Sequence, residues 1–491
     1  MRGQSGEPEK VPPRPGTTPR ARGGRRRGAG RITGSPGTSD PSRHILPPRP
    51  VSAPPVPYDD VPDLPPVARR FCRYAEVWTT SHPDATAFPS TERQKDLARL
   101  LVDELRALGA ADAEMDAWGY VTATLPAPPG SEGLPVVALV AHLDTSPDAP
   151  GRGVRPHVHA AYAGGAVAFP NAPDLVLDPE RQPALREHVG EDLLTSDGTT
   201  LLGSDDKAGV AVVVQLAADL ARAEEDARRR GERPAPRPTI RVLFTPDEEV
   251  GRGTEKLDLD RLGADVAYTL DGSGVDRLNV ETFNAAEARL VVEGVGVHPG
   301  YAKGVLVNAL RVAAEFVAAL PRDEAPETTE GREGYLHPHT LEGTAERAEL
   351  RVLLRDFTDD GMEAKRRLVR DLADRLRRAW PGATVHLEIR ESYRNMLSYI
   401  EETDRRVIDL ALAAGPSLGV ELALEPVRGG TDGARLSERG LPTPNVFTGG
   451  YDFHSRFEWN TVQNLERALA YAHALVQTWG REAAPTAPPR P

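Results

Sequence analysis

The sequence predicts an α/β protein whose main domain is interrupted by a small α+β module. Three observations predict it. Val136–Ala141 is a continuous apolar run, as expected of a strand buried on both faces of a sheet, and Thr239–Phe244 reads as another buried strand. They alternate with helix-spaced apolar residues, as a largely parallel sheet requires. Beyond Phe283 the order changes to strand, helix, strand, helix, strand, which suggests a ferredoxin-like module.

Residues 1–66 are expected to be a disordered tail. They are rich in Pro and carry the basic tract from Arg20 to Gly28, and such a stretch buries too little apolar surface to offset the entropy of ordering. The tract could bind RNA or acidic surfaces, or be no more than solvated chain. The folded part is expected to begin near Val67. Ser90 or Thr91 reads as the N-cap of a helix that carries Leu97, Leu100, Leu101 and Leu105 on one face. Val121–Leu125 reads as a strand and Gly209–Ala223 as an amphipathic helix.

The module is expected to hold strands at Ala288–Val295, Arg347–Asp356 and Thr384–Ile389, with helices at Asn308–Leu320 and Glu363–Ala379. Helices at Asp404–Ala414 and Leu465–Trp479 return the chain to the α/β pattern. The expected division is therefore a main domain over 67–283 and 396–481, an inserted domain over 284–395, and a loose tail over 482–491.

A length of 491 residues favours more than one domain. The net charge is −13, although residues 1–50 carry eleven Lys/Arg against three Asp/Glu, so the body is more acidic still. That argues against nucleic-acid binding by the folded part and suits a site that collects cations. No apolar run approaches the roughly 18 residues of a membrane span, and the first residues lack the apolar core of a secretory signal. Cys72 is the only cysteine, which excludes an intrachain disulfide and a thiolate-rich zinc site. A cytoplasmic address fits these features.

Five short segments carry candidate chemistry. The strand ending Ala141-His142-Leu143-Asp144 places His142 and Asp144 on one face, where a carboxylate can orient an imidazole for a metal. A packed histidine is the bland alternative. Asp205 and Asp206 precede a helix, as a bridging ligand would, or as a simple cap would. Asp247, Glu248 and Glu249 follow a buried strand, and like charges so close call for a cation, a proton or full solvation. If functional, one Glu binds metal and its neighbour serves as general base. Asp271 ends another strand, and His454 lies far beyond the inserted module. Together these imidazoles and carboxylates suit Zn²⁺, Mn²⁺ or Co²⁺, and they suffice for two ions if one carboxylate is shared.

These motifs resemble those of the peptidase T family, tripeptide aminopeptidases of the dinuclear-zinc exopeptidase superfamily. The resemblance spans about residues 67–480. It rests on His142-Leu-Asp-Thr-Ser-Pro-Asp148, Thr199-Thr-Leu-Leu-Gly-Ser-Asp-Asp-Lys-Ala-Gly209, Phe244-Thr-Pro-Asp-Glu-Glu-Val-Gly251, Val297-His-Pro-Gly300, Arg428-Gly-Gly-Thr-Asp-Gly433 and Phe447-Thr-Gly-Gly450. It implies a zinc-exopeptidase-type catalytic domain with the inserted module as lid or dimerisation domain, and so a homodimer acting on small peptides. It implies two Zn²⁺ per chain: one on His142, Asp205 and Asp271, the other on Asp205, Glu249 and His454. Glu248 would be the general base and Asp144 would orient His142. His298 would bring an oxyanion donor, and Asn308, Arg355 and Arg428 would bind the polar ends of the peptide. One departure follows His454, where Phe457 stands in place of the family's His.

The expected reaction is release of the N-terminal residue from tripeptides. A dipeptidase or an N-acyl-amino-acid hydrolase of the same superfamily is the nearest rival. A metal-binding or RNA-associated protein acting through its basic tail is the rival from another class.

Overall fold

The computed structural model describes residues 54–482. The basic tract and nearly all of the C-terminal tail lie outside the described residues. The chain is already in place before Val67: Val56–Pro57 pairs antiparallel with His157–His159, and Tyr58 and Leu64 are buried. The expected start was late because Pro-rich composition hides single apolar anchors.

The largest sheet has eight strands. Four neighbours run parallel at its centre, in the spatial order Ile240–Thr245, Val137–His142, Val266–Gly272, Asn445–Phe447. The first two and Val266–Gly272 are almost wholly buried, in keeping with their largely apolar sequences. Val121–Leu125 adds to one side antiparallel, and Arg277–Thr282 to the other, again antiparallel. Helix Ser204–Arg230 packs across Val137–His142 and Val266–Gly272 through Ala208, Val212 and Leu216, which are fully buried. It runs further than the apolar stripe indicates, ending on Gly231 in the left-handed conformation at φ 70°. Helix Val462–Arg481 covers it in turn, with Trp479 buried.

The expected cap of helix Gln94–Ala107 is not formed. Arg93 occupies the N-cap without a side-chain bond. The Ser90 hydroxyl donates instead to the Asp247 carboxylate, and Thr91 Oγ1 donates to the Thr80 carbonyl at 2.9 Å. As acceptors, the same two hydroxyl oxygens are taken by the His82 N–H at 3.0 Å and the Gln94 side-chain amide at 3.2 Å, so neither serves a main-chain amide of the helix.

The second sheet has four antiparallel strands in the order Tyr335–Gly343, Arg347–Asp356, Asn284–Glu293, Thr384–Tyr393. With helices Ala309–Ala319 and Asp359–Ala379 on one face, the chain order is βαββαβ, the ferredoxin-like arrangement. Strand Tyr335–Gly343 was missing from the five elements expected. It is an edge strand with Pro338 inside it and few buried residues, so it lacks the apolar signal of a strand. Leu290, Leu350, Phe316 and Val369 lie in a buried cluster separate from that of the larger sheet. Among the described residues, no helix is long and apolar enough to cross a membrane.

Candidate metal centre

Four carboxyl ends of adjacent parallel strands converge on one cavity, the place where open α/β sheets assemble sites. His142 ends the first strand, Glu248 and Glu249 follow the second, Asp271 sits at the end of the third, and the fourth leads into the loop that carries His454.

Asp205 stands between the two imidazoles. Its Oδ1 lies 2.8 Å from His142 Nε2, and its Oδ2 lies 3.3 Å from His454 Nε2. Asp271 Oδ1 is 3.5 Å from His142 Nε2, and Glu249 Oε2 is 2.8 Å from His454 Nε2. Each imidazole therefore faces Asp205 plus one carboxylate of its own. Ligand atoms of His142, Asp205 and Glu249 lie within 4.8 Å of one another, as do those of His142, Glu248 and Asp271.

The surroundings fix this geometry through main-chain amides. Asp205 and Asp206 are joined by a cis peptide bond. The Asp206 carboxylate turns away from the cavity and accepts the His142 N–H at 3.0 Å and the Gly209 N–H at 3.1 Å. Glu458 accepts the N–H groups of Leu202, Gly203 and Asp205 at 2.8, 2.7 and 3.0 Å. Asp247 accepts the Ser90 N–H at 2.6 Å and the Gln94 amide at 2.7 Å, which anchors the turn that presents Glu248. His454 has φ 59°, a left-handed backbone unusual for a non-glycine residue. Its loop is held by Trp459 Nε1, which donates to Asp452 Oδ2 at 2.9 Å, and by Tyr451 stacked on Trp459 at 4.3 Å.

Asp144 does more than orient a ring. His142 Nδ1 donates to the Asp144 main-chain carbonyl at 3.1 Å, while the carboxylate is 3.5 Å away. That carboxylate accepts the N–H groups of Glu248 and Glu249.

The electrostatics are those of a cation site. Burial opposes protonation of His142, but Asp271, Asp144 and Asp205 outweigh it and raise its pKa well above the usual value. Hydrogen bonds to Asp205 and Glu249 raise His454 to about 11. Burial pushes Glu249 up to about 8, with the Asp205 charge adding to it. Burial likewise raises Glu248 well above its usual value; His142 opposes this, and Asp271, Asp432 and Glu249 reinforce it. Glu249 Oε1 is buried and has no hydrogen-bond partner. A buried carboxylate oxygen without a partner is costly, and a divalent cation resolves both that cost and the crowding of like charge. The donor set of imidazole and carboxylate oxygen fits such an ion.

The four residues expected to contact the peptide do not line this cavity. His298 is exposed and accepts the Gly300 N–H at 3.1 Å. Asn308 caps helix Ala309–Ala319, accepting the Leu310 N–H at 3.0 Å. Arg355 donates to the carbonyls of Ala286 and Leu354, at 3.2 and 2.9 Å. Arg428 donates to the carbonyls of Gly331 and Glu333 and to Thr329 Oγ1, each at 2.9 Å. The cavity wall is formed instead by Tyr393, Thr431, Asp432 and Arg435, to which the sequence reading gave no role. Burial pushes Asp432 up to about 7. Its signal was faint: an acid in the first turn of a short helix is ordinary.

Two imidazoles that share one carboxylate, at the strand ends of an α/β sheet, form the kind of two-cation site that metal-dependent peptidases use. Residues 280–384 match the M20 peptidase dimerisation domain. The chain is 41% identical over 414 residues to peptidase T of Geobacillus kaustophilus, covering 84% of this chain and 98% of the relative. It is 40% identical over 400 residues to peptidase T of Listeria monocytogenes, covering 82% and 95%. The chain belongs to the peptidase T family. Its fold is shared with an aminopeptidase from Bacillus cereus, at TM-score 0.63 and 21% identity over 85% of this chain and 98% of that one. It is also shared with a dinuclear metal-binding peptidase of the M20 family from Bacillus subtilis, at TM-score 0.55 and 15% identity over 84% and 96%.

Proposed function

We propose that this enzyme is a dinuclear metal aminopeptidase that releases the N-terminal residue from tripeptides. The observation that carries the reading is Asp205, with one oxygen on each of the two imidazoles. His142, Asp205 and Asp271 would hold one ion, and Asp205, Glu249 and His454 the other. Zinc is the proposed native metal, with Mn²⁺ or Co²⁺ as substitutes. Bound there, two such ions lower the pKa of water toward neutrality and polarise the carbonyl to be attacked.

The protein's own groups do the rest. Glu248 lies against His142 and Asp271 with no role as the shared ligand, which suits it to take the proton of the attacking water and return it to the departing amine. Asp144 fixes the Glu248 amide and the His142 ring together, so base and ligand keep one spacing.

The proposed division is a catalytic body that begins by Val56 and runs to 283, resuming over 396–481, with a lid and dimerisation module over 284–395. The separate buried cluster of that module supports it, as does the dimerisation-domain match. A homodimer built through this module and a cytoplasmic address complete the reading. The test is turnover of a panel of tripeptides, dipeptides and N-acylated peptides by the full chain, before and after chelation and with metal restored. Chelator-sensitive release of the first residue from tripeptides with free amino termini is expected. Chelator-insensitive turnover, or preference for acylated substrates, would overturn the proposal.

A further inference from the structure

We propose that Arg435 is the specificity-determining residue that binds the C-terminal carboxylate of the peptide; this rests on the tripeptidase reading above. The cavity holds five carboxylates, those of Asp205, Glu248, Glu249, Asp271 and Asp432. Its volume of 420 Å³ lies within the range of small-ligand pockets, about 300–1,000 Å³. An anionic group entering an acidic cleft needs a countercharge of its own, beyond the ions at the reacting carbonyl. A tripeptide cut at its first bond carries its carboxylate two residues further on, roughly 7 Å of extended chain. A cation in the wall of the same cavity meets that need.

Arg435 is the only Arg or Lys among the described residues that line the cavity. The other candidates are committed elsewhere. The Arg428 guanidinium holds three oxygens of the segment around Gly331, and that of Arg355 holds two strand carbonyls. Arg435 is held only lightly. It pairs with Glu438 at 3.2 Å, both side chains being more than a third exposed, and it reaches the Ser392 carbonyl at 3.5 Å. An exposed pair of that kind contributes little and can be exchanged for a substrate carboxylate. Its position is nonetheless defined. The guanidinium carbon lies 5.4 Å from the centre of the Tyr393 ring, and Arg355 lies 5.6 Å from the same ring. Tyr393 ends a strand of the four-stranded sheet, while Arg435 belongs to helix Asp432–Glu438 beside the metal ligands. The carboxylate would therefore bind where the two sheets' elements meet, and a planar guanidinium suits bidentate contact with it.

The experiment compares trialanine with trialanine amide on the zinc-loaded full chain, for the unmodified enzyme, Arg435→Gln and Arg435→Lys. The unmodified enzyme is expected to favour the free acid roughly ten- to a hundredfold in kcat/KM, mainly through KM. Arg435→Gln should lower the acid to the level of the amide and abolish the preference, while Arg435→Lys restores part of it. Equal losses on both peptides, or a preference that survives in Arg435→Gln, would overturn the assignment. Calorimetric binding of the same two peptides to zinc-loaded Glu248→Gln protein, with and without Arg435→Gln, reads the preference independently of turnover. A catalytically silent unmodified enzyme would thus count against the tripeptidase reading, and the binding ratio would still decide for or against Arg435.

Discussion

The Asp144 carboxylate accepts the main-chain N–H of Glu248 at 3.0 Å. Its second oxygen accepts the N–H of Glu249 at 3.2 Å. One side chain two residues beyond strand Val137–His142 thus sets the turn that follows the neighbouring strand, and with it two acidic side chains of the site. Asp144→Ala leaves two part-buried amides without their acceptor. Activity is expected to fall about 10- to 100-fold, with zinc affinity falling in parallel, as for other changes behind a metal ligand. Titration of the metal-free variant with zinc and a competing chelator checks it.

Glu248 and Glu249 are neighbours with different fates. Glu248→Ala is expected to retain two zinc ions per chain while kcat falls about 10²- to 10⁴-fold. Metal analysis by mass spectrometry beside steady-state kinetics separates the two effects. Loss of metal together with activity would place Glu248 among the ligands instead.

Asp205 and Asp206 also divide. Asp205→Ala removes the carboxylate that faces both imidazoles, so bound zinc should drop below two per chain. Asp206→Ala removes the acceptor of the His142 and Gly209 amides. It should destabilise the fold by about 1–3 kcal/mol, the cost of leaving buried donors unpaired. Zinc stoichiometry and urea unfolding, measured on both variants, distinguish them.

Glu191 ties the segment before Leu193–Thr195 to helix Val462–Arg481. It accepts from His188 Nδ1 and Thr461 Oγ1 at 2.8 Å each and from Arg467 at 2.6 Å. Burial opposes its charge, but these partners hold its pKa down at about 2. The folded value lies below the unfolded one, near 4.3. The ionised form therefore stabilises the fold above about pH 4.3, and that contribution is lost as pH falls toward 2. Glu191→Gln should lower stability at pH 7 by about 1–2 kcal/mol and flatten the acid-unfolding curve across that window. Unfolding midpoints followed by circular dichroism from pH 2 to 7 check it.

Much of the centre was legible because its residues break local rules together. Doubled acids after Gly203-Ser204 and a triple acid after Pro246 are poor turns unless something neutralises them. The buried strands Val137–His142 and Ile240–Thr245 announced themselves by largely apolar sequence. Strand Tyr335–Gly343 did not, because an edge strand is half solvated and need not be apolar. Asp432 and Arg435 gave no sign of a role for a related reason: alone, each is an ordinary residue of a short helix.

The sequence by itself determined the α/β class, the inserted module and the residue types that collect cations, since periodicity and local charge crowding are written along the chain. Only the tertiary structure decided which partners those residues meet. It turned Asp206 to the main chain and Asp205 to the imidazoles, occupied Arg355 and Arg428 with carbonyls, and left Arg435 facing the cavity. Contacts between residues sixty or more positions apart depend on strand order and loop path, and no local pattern encodes them.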